Sequence, residues 1–473
     1  MTAAESNSER PVGVIGLWHL GSVTAACLAE AGNRVVGVDP DPAVVDGLSQ
    51  GRPPISEPGL AELIAEGVGA GRLRFSADPH ALSEARLVWV TFDTPVDDED
   101  RADVEWVLAR TEELLGAAPE DALVVISSQL PVGSAAQVRA RCAPRRGGHA
   151  LRVACVPENL RLGQALDAFR RPERIVAGVR DERDRRELAE VLAPFSSNIE
   201  WMRVESAEMT KHALNGFLAT SVAFINELAT ICEPVGADAA EVSRGLKSEG
   251  RIGPRAYLNP GDAFAGGTLA RDIGFLRGLA ERHGLPAHVL AGVAEANAAH
   301  KRWTQNKLLE LLSAEPTGVR ALEGRTIAVW GLAYKPGTDT LRRSSAVELC
   351  HWLAVQGATV RVHDPAVTAL PQDLLSDVEV CRSPLTATAG ADALVVATAW
   401  PEYREVPLEQ LLPTLRHPTV IDAAGFLAQS LGADPALRYV RVGSDPRPHA
   451  QGPSGEDPHA AESDRARQRA AST

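Results

Sequence analysis

The sequence has few of the features that mark exported or membrane-spanning proteins. No uninterrupted apolar stretch reaches the roughly 18 residues that a membrane-spanning helix needs, so no membrane partner is expected. Residues 1–10 are polar and lack the apolar centre of a signal peptide. This segment is expected to be a flexible N-terminus, and the protein is expected to be cytoplasmic.

Cysteine is also scarce, and its spacing excludes the common cysteine-based sites. The six cysteines are scattered and form neither a C-x-x-C pair nor a cluster with histidine at metal-ligand spacing. No metal site is therefore predicted. Isolated cysteines in apolar segments are typical of buried free thiols, and they fit the reducing conditions of the cytoplasm.

Positive charge is the third shortage. Lys and Arg number 48 against 62 Asp and Glu, which gives a formal net charge of −14 and a pI near 5.4. Such an acidic chain is not expected to bind nucleic acid or anionic membranes in general, but it is compatible with a local basic pocket for a phosphorylated ligand. The 473 residues, 45% of them hydrophobic, predict two or three globular domains.

The chain begins with the pattern of a dinucleotide-binding βαβ unit. An apolar strand at Val12–Ile15 precedes Gly16, a helix containing Gly21, a second strand at 34–38, and Asp39. Gly16 permits a tight turn, Gly21 lets the helix pack on the strand, and the Asp39 carboxylate can accept hydrogen bonds from a ribose. The pattern favours NAD binding over a purely structural βαβ unit, and Asp39 favours NAD over NADP.

Two further features bear on this first region. Trp18 stands where the pattern has its middle glycine, at the closest approach to the pyrophosphate, so it should affect cofactor affinity. Polar loops at 91–95 and 127–133 end two later strands, and Glu158 follows a third. Ligands bind at the carboxyl ends of strands in such sheets. Glu158 is therefore either a functional carboxylate or an ordinary surface one.

Residues 204–315 have a mainly helical pattern. Lys211 and Asn215 lie one turn apart on a helix. They are either the polar edge of a buried helix or a pair that faces a cleft and stabilises an alkoxide or a water. A Gly-rich loop then leads into a helix that begins near Thr268, an arrangement suited to anions and reacting groups.

A second doubly wound α/β unit is predicted at 316–443. Its strands are expected at 325–330, 358–363, 393–398 and 419–422. Lys335 and Arg342 follow the first of these strands and can hold a diphosphate. Residues 444–473 are rich in Pro, Ser, Ala, Asp and Arg, and they are predicted to be disordered.

Four segments together carry a family resemblance. They are Pro157-Glu158-x-Leu160-Arg161-x-Gly163, Glu208-x-x-Lys211-x-x-x-Asn215 with Asn226-Glu227, Arg251-Ile252-Gly253, and Gly331-Leu-Ala-Tyr-Lys335-Pro-Gly-Thr338-Asp339. In this order they resemble the UDP-glucose/GDP-mannose dehydrogenase family over nearly the whole chain. The resemblance implies an α/β fold with two Rossmann-like doubly wound domains joined by a helical connector. These are an NAD-binding domain at 11–203, a connector at 204–315 with the active site and a homodimer contact, and a nucleotide-sugar-binding domain at 316–443.

The resemblance also implies the residues of the site. The catalytic positions are Glu158, Lys211, Asn215, Thr268 and Asp272. The cofactor-binding positions are Gly16, Trp18, His19, Leu20, Gly21, Asp39, Thr94, Gln129 and Arg342. The substrate-binding positions are Leu160, Arg161, Arg251, Tyr257, Phe264, Gly267 and Lys335. The implied cofactor is NAD, and the implied substrate is a UDP- or GDP-linked sugar.

The segment 261–272 is similar to the family's GPGFGGSCFPKD loop but departs from it at the nucleophile. In the family, the Cys thiolate traps an aldehyde during a four-electron oxidation of a C6 alcohol to a carboxylate. Thr268 occupies that position here, and a Thr hydroxyl is a far poorer nucleophile at neutral pH. Other departures are Arg271 for Lys, Gln129 for Thr, Leu162 for Glu, and Asp422-Ala-Ala-Gly425 for the DGRN-like segment.

The first oxidation does not need the missing thiol. It needs NAD, stabilisation of the oxyanion by Lys211 and Asn215, and a proton acceptor such as Asp272 acting through water. The sequence thus favours an enzyme that stops after two electrons, with a 6-keto or 6-aldehyde product. A secondary C6 alcohol, as in the GDP-octoses of antibiotic sugar biosynthesis, would suit it. The alternatives are a full four-electron UDP-glucose 6-dehydrogenase and a non-catalytic protein that binds NAD or a nucleotide sugar.

Overall fold

The computed structural model describes residues 10–97, 102–143, 150–158, 160–265, 267–313, 320–367, 370, 378–432 and 434–444. These residues form two compact units. The first unit comprises 10–218 and 267–291, and the second comprises 219–265 and 292–444. Apart from Arg10 and Ser444, the predicted flexible N-terminus and disordered tail lie outside the described residues.

Each unit is built on one sheet. The strands of the first sheet are β1 (Val12–Ile15), β2 (Val35–Val38), β3 (Leu73–Ser76), β4 (Leu87–Val90), β5 (Leu123–Ile126), β6 (Arg152–Cys155), β7 (Ile175–Gly178) and β8 (Ile199–Met202). The strands of the second sheet are β9 (Thr326–Trp330), β10 (Thr359–His363), β11 (Val378–Val380), β12 (Ala393–Val396), β13 (Thr419–Ile421) and β14 (Arg438–Val440).

The helices follow the strands in alternation, except for a helical stretch in the middle of the chain. In chain order they are α1 (His19–Glu30), α2 (Pro42–Ser49), α3 (Leu60–Gly69), α4 (Val104–Leu115), α5 (Ser134–Cys142), α6 (Ala165–Arg170), α7 (Glu182–Leu192), α8 (Val204–Val235), α9 (Ala239–Ser248), α10 (Thr268–Arg282), α11 (His288–His300), α12 (Trp303–Leu312), α13 (Ser345–Val355), α14 (Pro384–Thr388), α15 (Leu408–Leu411) and α16 (Ala428–Leu431). Short 3-10 segments occur at Pro79–Leu82, Pro401–Glu405 and Leu412–Thr414.

Both sheets are doubly wound. The first has the strand order β3-β2-β1-β4-β5-β6-β7-β8, and the second has the order β11-β10-β9-β12-β13-β14. All neighbouring strands are parallel except β6 and β7. The strand order reverses direction at β1 and β4 in one sheet and at β9 and β12 in the other, which are the places where such sheets bind ligands. The predicted fold class is confirmed.

The first sheet is buried on both faces because its strands are short apolar runs covered by helices. Val14 and Trp89 lie in one core cluster, whereas Ile15 and Val90 lie in the other. This separation follows from the alternation of side chains along a strand. In the second unit, Trp330 is fully buried and stacks on the ring of Tyr403. Because packed side chains cover the faces of the sheets, we expect a ligand site at the ends of the strands.

Helix α8 is unusually long and apolar. By length and hydropathy alone it meets the criteria for a membrane span, and it is the one helix in the described part of the chain that does so. Half of the most apolar 18-residue segment of this helix is buried inside the protein, as in the core helices of globular domains.

Candidate active site

The loop that follows β1 can accept only glycine at two positions. Gly16 has a φ of +86°, and a Cβ atom there would lie 2.6 Å from the ring of Phe92. A Cβ on Gly21 would lie 1.8 Å from the carbonyl oxygen of Gly16. Helix α1 therefore packs directly against the loop, and its first turn faces the carboxyl end of the sheet. These are the two predicted glycines of a dinucleotide-binding loop.

Asp39 fixes this loop from the end of β2. Its carboxylate accepts a hydrogen bond from the backbone N–H of Leu17 at 2.7 Å and another from Asp41 at 3.0 Å. The side chain is only half-buried, so it keeps an accessible edge. A carboxylate held in this way fits the ribose hydroxyls of NAD.

The start of α1 presents two of the predicted cofactor residues. The Trp18 side chain is 46% exposed and makes no capping hydrogen bond to the helix. The imidazole Nε2 of His19 lies 2.9 Å from the Glu57 carboxylate. Glu57 also accepts hydrogen bonds from the backbone N–H groups of Gly163 at 2.8 Å and Ala165 at 2.9 Å. Glu57 thus ties the dinucleotide loop to the loop that follows β6.

A cavity of about 200 Å³ opens beside α1 in the first unit, and we call it the Thr268 pocket. It brings together seven of the predicted site residues from five separate parts of the sequence. The lining residues are His19, Leu20, Phe92, Asp93, Thr94, Gln129, Glu158, Leu160, Thr268 and Arg271. Thr268 is exposed at the first residue of α10, and the preceding residue, Gly267, has a φ of +101°, which is unfavourable for any residue with a Cβ.

Asp93 is a pocket residue that the sequence did not single out. Asp93 is exposed, but it lines the Thr268 pocket, where the surrounding protein atoms partly desolvate its carboxyl group. This desolvation raises the pKa of Asp93 to about 6, helped by the nearby Glu158 carboxylate and opposed mainly by His19. A carboxyl group with such a pKa is suited to proton transfer near neutral pH.

Glu158 lines the Thr268 pocket, and Lys211 contacts it from α8, although Lys211 is not among the described residues that line the pocket. The Lys211 ammonium donates to the backbone carbonyl of Glu158 at 2.5 Å and lies 3.7 Å from its carboxylate Oε1. The other carboxylate oxygen, Oε2, accepts a hydrogen bond from the backbone N–H of Leu160 at 2.6 Å. The loop after β6 is therefore folded around Glu158, and Lys211 faces it from α8.

Asp272 organises a second group of side chains. Its side chain is 0% exposed, and its carboxylate accepts hydrogen bonds from Gln129 Nε2 at 2.9 Å and from the amide of Asn215. The Nδ1 atom of His212 lies 2.9 Å from the same carboxylate. The amide oxygen of Gln129 in turn accepts a hydrogen bond from Arg271. Residues that are distant in sequence thus form one buried polar cluster in the first unit.

In the second unit, two asparagines hold the Gly-rich loop. Asn226 accepts a hydrogen bond from Gly261 N at 2.9 Å and donates to the carbonyl of Asp262 at 3.2 Å. Asn297 accepts a hydrogen bond from Phe264 N at 3.0 Å and donates to the carbonyl oxygen of Phe264 at 2.9 Å. Both amides replace the hydrogen bonds that an irregular backbone segment otherwise lacks. The half-buried Phe264 is therefore rigidly placed.

The loop after β9 has the same design as the loop after β1. Gly331 has a φ of +92°, and a Cβ there would lie 2.4 Å from the Cβ of Thr398. The Asp364 carboxylate, at the end of β10, accepts hydrogen bonds from Leu332 N at 2.7 Å and Ala333 N at 2.9 Å. The second unit therefore repeats the arrangement of glycine turn and acidic anchor.

The remaining predicted site residues are distributed over both units. Arg161 is exposed in the first unit, in the segment after β6. Arg251 is exposed in the second unit and pairs with Glu249 at 3.0 Å. Tyr257 and Arg342 are also exposed there, and Lys335 is half-buried. None of these five is among the described residues that line the Thr268 pocket.

Two residues of the site were missed in the sequence: His212 in the buried cluster and Asp93 in the Thr268 pocket. His212 directly follows Lys211 on α8 and is three residues from Asn215, so it belongs to the same helical turn. Its buried position was not evident because its partner, Asp272, is 60 residues away. The sequence placed Asp93 in a loop at the end of a strand, and this position was the one signal that could have identified it as a site residue.

Comparison with known proteins extends these observations. Three domains of the UDP-glucose/GDP-mannose dehydrogenase family match the chain: the NAD binding domain at residues 10–196, the central domain at 205–299 and the UDP binding domain at 328–429. The UDP-glucose 6-dehydrogenase of Pseudomonas aeruginosa is 36% identical over 451 residues, which cover 92% of this chain and 97% of that protein. The UDP-glucose 6-dehydrogenase of Rhizobium meliloti is 33% identical over 437 residues, covering 91% and 98%.

A solved structure agrees with this comparison. The UDP-glucose dehydrogenase of Pyrobaculum islandicum superposes with a TM-score of 0.75 at 32% identity, over 87% of this chain and 94% of that one. The matches span nearly the whole chain, and the NAD binding domain coincides with the loop of Gly16 and Asp39. The chain therefore belongs to the UDP-glucose/GDP-mannose dehydrogenase family and is an NAD-dependent oxidoreductase that acts on a CH–OH group of a nucleotide sugar.

Proposed function

We propose that this enzyme oxidises the C6 hydroxyl of a UDP- or GDP-sugar by two electrons and stops at the carbonyl. One observation carries the proposal: Thr268, which the sequence resemblance aligns with the family's nucleophile, lines the Thr268 pocket, and no cysteine is among the described residues that line it. A thiohemiacetal, which the second oxidation of the family requires, then has no thiol from which to form. A sugar with a secondary C6 alcohol, as in a GDP-octose, is the substrate that best suits this chemistry.

The cysteines elsewhere in the chain do not supply a substitute. All six are buried. Burial raises the pKa of Cys27 and of Cys350 to about 12, and it raises the pKa of Cys155 well above its usual value. Thiolates are therefore disfavoured at these positions, and thiolates are the reactive form.

The first unit contains the groups that a single oxidation needs. Gly16, Gly21 and Asp39 are proposed to hold NAD, which when bound accepts the hydride. Lys211 and Asn215 are proposed to stabilise the negative charge that develops on the substrate oxygen. The Lys211 ammonium is fixed by the carbonyl of Glu158, so little reorganisation is needed at the moment of reaction.

The alcohol proton needs an acceptor that opens into the Thr268 pocket. Asp272 was predicted for this role through water, but its carboxylate is buried and already accepts hydrogen bonds from two side-chain amides. We therefore propose that Asp272 orients Asn215 and Gln129. The proton then passes to Asp93, the pocket carboxylate with a pKa of about 6, and Glu158 is the alternative acceptor.

The decisive experiment counts NADH formed per sugar with a panel of UDP- and GDP-sugars and measures the product mass. One NADH and a loss of two hydrogens support the proposal. Thr268→Ala is expected to retain most of the rate, whereas Lys211→Ala should lose about 100-fold in kcat, as removal of an oxyanion donor does elsewhere. Lys247→Ala is the matched control, since that ammonium pairs with Asn259 on the surface.

Thr268→Cys gives the sharper result. With a primary-alcohol substrate, the new thiol should trap the aldehyde and raise the yield toward two NADH per sugar. With a secondary-alcohol substrate, the yield should remain at one, because a thiohemiketal has no hydride left to give. The unmodified enzyme forming two NADH and an ester on Thr268 would contradict the proposal.

Full four-electron oxidation is the second candidate function. It is favoured by the relatives named UDP-glucose 6-dehydrogenase, two of which are 36% and 33% identical over nearly the whole chain. In that case the aldehyde would be hydrated and oxidised without a thioester. UDP-glucuronate as the product, with two NADH per sugar, would support this candidate.

The second unit is proposed to bind the nucleotide part of the substrate. Lys335 follows the Gly331 turn and is half-buried, and Arg251 is exposed. Both cations suit a diphosphate. Because such contacts bind the ground state and the transition state alike, Lys335→Ala and Arg251→Ala should raise KM more than they lower kcat.

We further propose that the protein is a homodimer formed through the central helices. In the second unit, helix α8 exposes Phe224, Ile231 and Val235 at 52%, 55% and 70%. Their spacing of seven and four residues places them on one face of the helix, and an exposed apolar stripe favours association. Phe224→Glu together with Ile231→Glu should yield a monomer in analytical ultracentrifugation, whereas an unchanged dimer would exclude this face.

A further inference from the structure

His212 is held between two hydrogen-bond acceptors in the first unit. Its side chain is 2% exposed. The Nε2 atom lies 2.8 Å from the carbonyl oxygen of Leu130, and the Nδ1 atom lies 2.9 Å from the carboxylate of Asp272. A carbonyl oxygen can only accept, so Nε2 must carry a proton.

This geometry requires a second proton on the pair. A neutral imidazole protonated at Nε2 has a bare lone pair at Nδ1. That lone pair would face a carboxylate oxygen of Asp272 at hydrogen-bond distance, which is repulsive. The proton between the two atoms therefore belongs either to the imidazole or to the carboxyl group.

The surroundings of Asp272 decide where the proton lies. Gln129 donates to its carboxylate through Nε2 at 2.9 Å, and the Asn215 amide donates to its other oxygen. Donors of this kind stabilise the charged form of a carboxyl group. This geometry favours the carboxylate form of Asp272, with the proton on His212.

The charges around His212 agree with this assignment. On its own helix, Glu208 is buried one turn earlier, and its carboxylate accepts the backbone N–H groups of Gly133 and Ala135, both at 2.8 Å. Lys211 is directed to Glu158. From α10, Arg271 contacts Gln129 beside Asp272, and the Phe275 ring meets the imidazole edge to face at 5.5 Å. Burial raises the pKa of Glu208 despite the hydrogen bonds from Gly133 and Ala135, so the carboxyl groups near His212 are those of Glu208 and Asp272, and the basic group on α10 is that of Arg271.

We infer that His212 is a buried imidazolium that acts as a positioning residue: it holds Asp272 as an anion, and Asp272 in turn fixes the amides of Asn215 and Gln129 toward the reacting centre. The pair is not a proton relay, because the Nε2 proton of His212 ends on a backbone carbonyl. The protonation state stands on geometry alone, whereas the effect on turnover rests on the proposed function of Asn215.

The first experiment measures the protonation state in the wild-type enzyme labelled with ¹⁵N-histidine. The His212 resonances are assigned through their contact with the Phe275 ring, so no variant has to fold. At about pH 8, where a free imidazole is neutral, both His212 nitrogens are expected to show the shifts of protonated nitrogen. A bare Nδ1 would overturn the inference whether or not the enzyme oxidises any sugar.

The second experiment compares two substitutions by steady-state kinetics. His212→Gln keeps a donor for Asp272 but cannot carry a charge, and His212→Phe removes the donor. We expect His212→Phe to lose on the order of 100-fold in kcat, as a misplaced catalytic group does, with the sugar KM nearly unchanged. His212→Gln should recover part of that loss, and the exposed His80→Gln is the matched control.

The outcomes separate the inference from the proposed function. An unchanged kcat in a folded His212→Phe enzyme would overturn the positioning role. A loss confined to thermal stability or to KM would do the same, because it would indicate a purely structural histidine. If the wild-type enzyme turned over none of the sugars, the proposed function would fail, and the NMR result would still decide the protonation state.

Discussion

The two glycine turns of this enzyme share one backbone design but differ in how their acidic anchors are used. Asp39 accepts two backbone hydrogen bonds and is half-buried. Asp364 is 8% exposed, and besides the loop amides it accepts the backbone N–H groups of Ala366 at 2.8 Å and Val367 at 3.1 Å. The indole of Trp400 adds a further donor at 3.1 Å.

The difference shows that a glycine turn with an acid does not by itself define a cofactor site. The Asp364 carboxylate is saturated by protein donors, so it has little capacity left for a ribose. Burial alone would raise the pKa of Asp364, but the hydrogen bonds from Ala333, Leu332, Ala366 and Trp400 outweigh it and lower the pKa. Asp364 is a structural anchor, whereas Asp39 keeps an edge for a ligand.

The largest expected effect comes from removing the saturated anchor. Asp364→Ala leaves several buried donors without an acceptor, and we expect a loss of about 3 kcal/mol in the stability of the second unit. Thermal and urea unfolding would measure it. Because the folded pKa of Asp364 is depressed, its contribution should be present above the unfolded pKa and lost as the pH falls through the folded value. A loss no larger than that of Asp39→Ala would remove the distinction between the two anchors.

Asp39→Ala should affect binding more than folding. We expect NAD affinity to fall by about tenfold or more and the preference over NADP to shrink, since no carboxylate would then meet the 2′-position of the ribose. Titration with both cofactors, followed by tryptophan fluorescence, would measure this. Equal affinities for NAD and NADP in the unmodified enzyme would show that Asp39 does not select the cofactor.

The pH dependence of turnover tests whether Asp93, in the Thr268 pocket of the first unit, is the catalytic base. If Asp93 accepts the alcohol proton, kcat/KM should rise with pH through about 6, the pKa of that carboxyl group, and level off above it. Below that value the rate should fall about tenfold per pH unit. Asp93→Asn should lower the rate and abolish this limb. If the rise of kcat/KM with pH persists in Asp93→Asn and disappears in Glu158→Gln, Glu158 is the proton acceptor instead.

The smallest effect is expected at Trp18. Trp18→Gly restores the middle glycine of the loop at a residue whose φ of −74° glycine adopts freely. NAD should bind a few-fold more tightly, because the backbone can then approach the pyrophosphate. Calorimetric titration of both proteins would test it. Weaker binding by the glycine variant would instead show that the indole contributes a contact to the cofactor.

The parts of the fold that sequence could predict are those with a local cause. The four residues of β1, the glycine after them and the helix after that are adjacent. For β9 the glycine also follows directly, and the next helix begins at Ser345. Strands β7 and β8 were not predicted; β8 is partly exposed at the edge of the sheet, and β7 lies beside it. Their identity depends on pairing, and β7 runs antiparallel to β6, which no local pattern reveals.

The site residues likewise fall into those with a local sequence signal and those that depend on long-range contacts. The strand-end rule located Glu158 and the loop 127–133, since it requires only the strand and the segment that follows it, whereas Gln129 within that loop came from the family resemblance. It could not locate the buried cluster, because the contact between His212 and Asp272 joins two helices 60 residues apart. The helical spacing of Lys211 and Asn215 was compatible with a polar edge and with a catalytic face, because which polar side chains of that turn are buried is a property of the packed structure.

Glu57 has a consequence for how the binding of one ligand affects the binding of the other. One carboxylate contacts His19, beside the dinucleotide loop, and the backbone of Gly163 and Ala165, in the segment that follows Glu158 and Leu160. A ligand that shifts one loop therefore alters the geometry available to the other. Binding equilibria linked in this way are reciprocal: whatever factor NAD contributes to the affinity for the sugar, the sugar contributes to the affinity for NAD.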